Sequence, residues 1–122
     1  EKYYAADHGL RNAILGHRAQ DIGIQLETIV CNHLLATGHK VEVGRWDAYE
    51  VDFVATKDGL RTDIQVAYLL ADEKTLEREI RPLRAIGDNY PRLILSMDTH
   101  FREDHEGIRW MNVREFTQSF AV

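Results

Sequence analysis

The stretch Glu50-Val51-Asp52-Phe53-Val54-Ala55-Thr56-Lys57-Asp58-Gly59-Leu60-Arg61-Thr62-Asp63-Ile64-Gln65-Val66 decides the fold. Apolar residues alternate through Val51, Phe53 and Ala55 and again through Ile64 and Val66, a period of two that marks β-strands. Asp58-Gly59 between them is a dipeptide that supplies the positive φ angles of a two-residue turn. With those two as the turn, positions whose numbers sum to 117 face each other: Val51 and Val66, Phe53 and Ile64, Asp52 and Gln65. The apolar face then holds Val51, Phe53 and Ala55. The opposite face holds Glu50, Asp52, Val54 and Thr56 beside Arg61, Asp63, Gln65 and Ala67.

Working outward, Ile22, Leu26, Ile29, Val30, His33 and Leu34 recur at helical spacing, with Asp21 placed to cap the start and Gly38 to stop it. Glu27 falls on the edge of that apolar face and is expected to be half-buried. A strand through Val41 and Val43 precedes the hairpin. Ala71 to Thr75 opens a second helix with Leu76, Ile80, Leu83 and Ile86 on its apolar side and Pro82 threatening a kink near its end. Pro91 to Met97 and Ile108 to Val113 read as strands, and Arg114 to Phe120 as a last short helix. Residues 1–20 read as an extended lead-in with one helical turn through Asn12 to Leu15. The order is α-β-β-β-α-β-β-α in one domain spanning 1–122, an α/β chain.

Composition narrows the classes. The 122 residues are 44% hydrophobic and 29% charged with only 2 Pro, which excludes disordered and low-complexity chains. No apolar run approaches the roughly 18 residues a membrane span needs, and no signal-peptide segment opens the chain, so a cytoplasmic setting without membrane partners is expected. The chain does not begin with Met, so Glu1 reads as a cloning or processing boundary. The lone Cys31 excludes an intramolecular disulfide and any zinc site built on two thiolates. Cys31 reads as a small buried residue. A net charge of −5 repels phosphates unless cations gather locally. Lys74, Arg78, Arg81 and Arg84 make one such stripe on the second helix, either a nucleic-acid contact or a solvated face paired with Glu73 and Glu77. The six histidines form no paired metal-ligand spacing. Trp46 and Tyr49 beside the hairpin read as packing before base stacking.

Carboxylates crowded on one hairpin face repel, and protonation, a basic partner or a divalent cation relieves them. Asp52 and Asp63 offer the oxygen ligands that Mg²⁺ or Mn²⁺ prefers, with Glu27 able to join if its helix crosses that face. Such an ion would bind a phosphate and activate a water. The plain alternative is a set of edge-strand charges paired with Arg61 or Arg45.

A helical acid, an Asp in the second strand and Asp-x-Gln in the third resemble the core of the PD-(D/E)XK nuclease superfamily, a restriction-endonuclease-like α-β-β-β-α-β unit with a mixed sheet. The resemblance assigns Glu27, Asp52, Asp63 and Gln65 as catalytic residues, with Asp52 and Asp63 on the metal. Gln65 stands where that superfamily usually has Lys, and supplies a neutral amide in place of a cation. Arg61 on the same face is then the nearby source of charge, with Lys74, Arg78 and Arg81 as further DNA contacts. A wider set of dispersed stretches resembles the C-terminal domain of a family of bacterial and archaeal AAA-type ATPases. They are Tyr4 to Arg11, Leu26-Glu27, Glu50 to Val54, Ile64 to Val66, Arg78-Glu79 and Asp88 to Pro91. That implies an ATPase domain as partner in the full-length protein. No Gly-x-x-x-x-Gly-Lys-Ser/Thr occurs here, so ATP hydrolysis is not assigned to this chain. Two functions are therefore expected: metal-dependent DNA cleavage, or a non-catalytic module that binds nucleic acid or a partner for the ATPase.

Overall fold

The computed structural model describes residues 19–46, 49–86, 89–99, 104–105 and 107–119. The lead-in over 1–18, including the turn expected at Asn12 to Leu15, lies outside them.

Helix α1 (Ala19–Ala36) buries Ile22, Leu26, Ile29, Val30 and Leu34, the residues its spacing singled out. It begins two residues before Asp21, so that carboxylate is in the first turn facing the positive end of the helix dipole and is not the cap. The chain leaves α1 through Gly38 at φ 91°, whose N–H donates to Leu35 O (3.1 Å) while His39 N–H donates to Leu34 O (2.9 Å). Those two bonds are a Schellman motif, and a residue with a Cβ is strained at that φ.

Strands β1 (Lys40–Trp46), β2 (Tyr49–Lys57) and β3 (Leu60–Val66) form an antiparallel meander. Asp58 (φ 53°) and Gly59 (φ 78°) make the two-residue turn, and Phe53 pairs with Ile64 and Val54 with Asp63, in the register the sequence predicts. Against β1 the register slips. Glu42 pairs with Val54 but Gly44 with Val51, so Val43 opposes both Asp52 and Phe53 in a β-bulge. The extra residue reverses the alternation. Phe53 and Ala55 face the α1 side with Val66, whereas Val51 packs on the other side of the sheet, which corrects the expectations that all three share a face and that Val51 faces Val66.

After β3 the chain crosses through helix α2 (Glu73–Ala85) to β4 (Arg92–Ser96), parallel to β3. Asp72 caps α2, its Oδ2 accepting from the Thr75 N–H (3.1 Å), and the helix runs through Pro82 to Ala85. A two-residue β5 (Asp104–His105), not expected from the sequence, turns into β6 (Ile108–Asn112), which lies parallel to β4 and leads into α3 (Val113–Ser119). The result is an open mixed sheet in the order β1-β2-β3-β4-β6-β5. One layer is α1 and α3 over Phe53, Ile64, Val66, Leu93 and Leu95. The other is α2, whose Leu76, Ile80 and Leu83 pack with Val51, Ile94, Ile108 and Trp110. No helix among the described residues is long and apolar enough to cross a membrane.

Candidate functional site

The bulge in β2 removes part of the ladder, and two side chains replace it. Gln65 Oε1 accepts from the Asp52 N–H (3.0 Å), and Asp52 Oδ2 accepts from the Val66 N–H (2.9 Å). Backbone polar groups at a buried strand end must find partners, and these reciprocal bonds supply them. They also hold the Asp52 carboxylate, half-buried, at the carboxyl end of β3.

A cleft of about 600 Å³ opens there between the two helix layers. Gly23 and Glu27 of α1, one turn apart, form one wall, and Asp52 and Val66 form the floor. Ala67, Tyr68 and Leu69 and, from α2, Thr75, Arg78 and Glu79 form the rest. The crevice beyond the carboxyl ends of strands is where open α/β sheets commonly bind ligands.

The structure thus unites Glu27 and Asp52 in one cleft, with Gln65 behind Asp52 as its hydrogen-bond partner. It does not bring Asp63 to them. Asp63 is fully buried, with its Oδ1 3.0 Å from Arg61 Nε, and is not among the residues lining the cleft. Arg61 is committed to that ion pair and lies 4.8 Å over the Tyr90 ring, so it does not charge the cleft. Among the described residues no group of three or more His, Cys, Asp or Glu is arranged to hold a metal ion. The carboxylates that line the cleft are Glu27, Asp52 and Glu79, the last 3.8 Å from the Arg78 guanidinium.

Lys74, Arg78, Arg81 and Arg84 are all exposed on α2, but of these only Arg78 lines the cleft. Arg84 pairs with Glu77 at 3.0 Å, one of the two partners the solvated-face alternative named, while Arg78 Nε lies 3.8 Å from Glu79 Oε2, a neighbour it did not name. His33 meets Phe116 edge-on with ring centroids 5.3 Å apart, His39 Nδ1 is bonded to Thr37 Oγ1 (3.0 Å), and Cys31 is buried. Tyr49 is exposed, and the side chain of Trp46 lies outside the described residues, as do His8, His17 and His100.

Tyr68, Leu69, Thr75 and Glu79 escaped sequence reading. The available signal was topological: a helix returning from a strand to a parallel neighbour must cross the carboxyl end of that strand. A second missed feature supports this wall. Asp98, buried beyond β4, accepts from the Leu70 N–H (2.7 Å) and the Ser96 hydroxyl (2.8 Å), and Ser96 Oγ accepts from Trp110 Nε1 (2.9 Å). Asn112 Nδ2 donates to the Asp98 carbonyl (3.0 Å). This network fastens the segment after β3 to β4 and β6.

No family model matches the chain, and no solved structure matches it. A protein of Haemophilus influenzae, described only as uncharacterised, is 32% identical over 107 residues. The match takes in 88% of this chain and 26% of that protein, so the chain spans about a quarter of the relative's length.

Proposed function

We propose that this chain is the nuclease-like portion of a larger AAA-type ATPase and that its cleft cleaves DNA with Mg²⁺ or Mn²⁺. The observation that carries the reading is the meeting of Glu27, from α1, and Asp52, from the β2 bulge, in one cleft also lined by Arg78. Three features of the fold support it: an antiparallel β1-β2-β3 meander, a β4 parallel to β3, and flanking α1 and α2, the order of a restriction-endonuclease-like core. Roughly three quarters of the Haemophilus relative lies outside the match, which leaves room for an ATPase portion.

Glu27 and Asp52 would hold the cation, which when bound lowers the pKa of a water and offsets charge on the scissile phosphate. Arg78 attracts the phosphate and Thr75 offers a hydroxyl donor at the same wall. Gln65 orients Asp52 through its N–H. A cytoplasmic setting suits a chain with one buried thiol.

Cleavage of supercoiled and linear DNA with Mn²⁺ or Mg²⁺ tests this. Asp52→Asn and Glu27→Gln are each expected to lower cutting by about 10²-fold or more, the scale of losing a group that acts in the transition state. Asp63→Asn keeps most of the activity, because Asp63 is paired with Arg61 outside the cleft. Activity lost with Asp63→Asn and kept with Asp52→Asn would sink the site.

One observation favours the second reading, a non-catalytic nucleic-acid or partner-binding module. Gln65 brings a neutral amide where a nuclease of this type carries a cation, and its oxygen is engaged by the Asp52 N–H. DNA binding that depends on Arg78 without cutting under either metal would select it.

A further inference from the structure

Gly23 is an unusual wall for a cleft. It lies inside an 18-residue helix, where glycine is a poor helix former, and a Cβ built on it meets nothing within 4 Å among the described residues. No packing requirement among the described residues therefore excludes a side chain there. What its absence provides is open space in the cleft, one helical turn before Glu27. Helical side chains lean toward the N-terminus, so the Glu27 carboxylate reaches over the turn that Gly23 leaves bare. Across from it stand Tyr68, half-buried against the core, and Leu69, which is 48% exposed despite being apolar. The cleft thus carries Asp52 at its floor, Glu27 and Glu79 on its helix walls, an apolar side at Tyr68 and Leu69, and open space above Gly23.

That combination discriminates between nucleic acids. A duplex presents about one charge per 1.7 Å of axis and is held chiefly by cations at its phosphates. Among the described residues the cleft is lined by one cation, Arg78, 3.8 Å from Glu79, within a chain of net charge −5. A single strand can turn a base out of its stack onto an aromatic or apolar surface, gaining affinity without many cations. A volume of about 600 Å³ lies within the range of small-ligand sites, about 300–1,000 Å³, and suits one nucleotide unit.

We infer that the cleft takes a single-stranded nucleotide chain, one base lodging in the space over Gly23 against Tyr68 and Leu69 while its phosphate meets Arg78. This rests on the nuclease-like reading and adds the substrate class to it.

Fluorescence anisotropy with a labelled oligothymidine and a blunt DNA duplex, in Ca²⁺ to permit binding without cutting, tests the assignment. The oligothymidine is expected to bind at least about tenfold more tightly than the duplex, the scale of one stacked base. Gly23→Phe fills the space and should weaken oligothymidine binding by about tenfold or more. Gly23→Ala should weaken it less while raising the melting temperature, because alanine is the better helix former. Leu69→Ser, a change at an exposed position, removes the apolar wall and weakens the single strand several-fold, which keeps the test decisive should Gly23→Phe melt early. Equal affinity for the duplex, or an unchanged oligothymidine affinity in both Gly23→Phe and Leu69→Ser, overturns the inference. Asp52-dependent cutting of duplex that Gly23→Phe leaves intact would overturn the single-strand occupant while the nuclease reading stands. No binding of either probe overturns both.

Discussion

At the Asp52–Gln65 contact a side chain does the work of a ladder hydrogen bond. Gln65 is buried, and its amide oxygen is the acceptor for a main-chain N–H that the bulge takes out of regular pairing. Removing a buried acceptor costs the desolvation of the donor left behind. Gln65→Ala is therefore expected to lower stability by about 1–3 kcal/mol, read as a shift in the urea midpoint at unchanged slope. A midpoint shift well under 0.5 kcal/mol would mean the Asp52 N–H finds water instead. The sequence makes Gln65 visible as a departure from a nuclease motif, but its partner is not legible there. Asp63 is the converse case. Its spacing from Gln65 suggests a ligand, yet in the fold its carboxylate is buried, with Oδ1 3.0 Å from Arg61 Nε, two residues short of Gln65 and not among the residues that line the cleft.

Among the elements, α2 shows how a local signal positions a distant wall. Asp72 caps the helix through both Thr75 N–H (3.1 Å) and Thr75 Oγ1 (3.0 Å), which sets the first turn from which Thr75, Arg78 and Glu79 reach the cleft. Asp72→Ala should destabilise the protein by about 1 kcal/mol in thermal or denaturant unfolding. Asp72→Ser, which keeps an accepting oxygen, should recover most of that loss. The helix start within Ala71 to Thr75 was legible from the apolar stripe that follows, while Asp72 as the capping residue was identified only in the fold. The α1 terminus at Gly38 and the Asp58-Gly59 turn were legible because each depends on φ angles that its own residues allow. The bulge was not. It is a property of β2 measured against β1, and the alternation of Val51, Phe53 and Ala55 gives no sign that Val51 will cross to the other face.

For the whole molecule, the sheet divides two apolar layers, and β4 carries both: Leu95 faces α1 and α3, while Ile94 faces α2, each fully buried. Leu95→Ala and Ile94→Ala should each cost about 2–5 kcal/mol, because each deletes packed methyl groups from a core that collapses only partly around the gap. Both variants are expected to unfold in one cooperative transition, since one strand feeds both layers; two separate calorimetric transitions in either would show that the layers fold independently. The Asp98-Ser96-Trp110 network joins the segment after β3 to β4 and β6, so the cleft wall shares that cooperativity. By itself the sequence determined the helices, the hairpin and its register from the turn to the Phe53–Ile64 pair, the half-burial of Glu27 and the α/β class, because periodicity, caps and turns are read within a few residues of where they act. Only the tertiary structure decided that Glu27 and Asp52 share a cleft, that Asp63 does not join them, that Arg78 alone of its stripe reaches the site, and that Gly23 leaves space beside Glu27. Those are distances between elements, set by how α1 and α2 pack across the sheet and by one bulge.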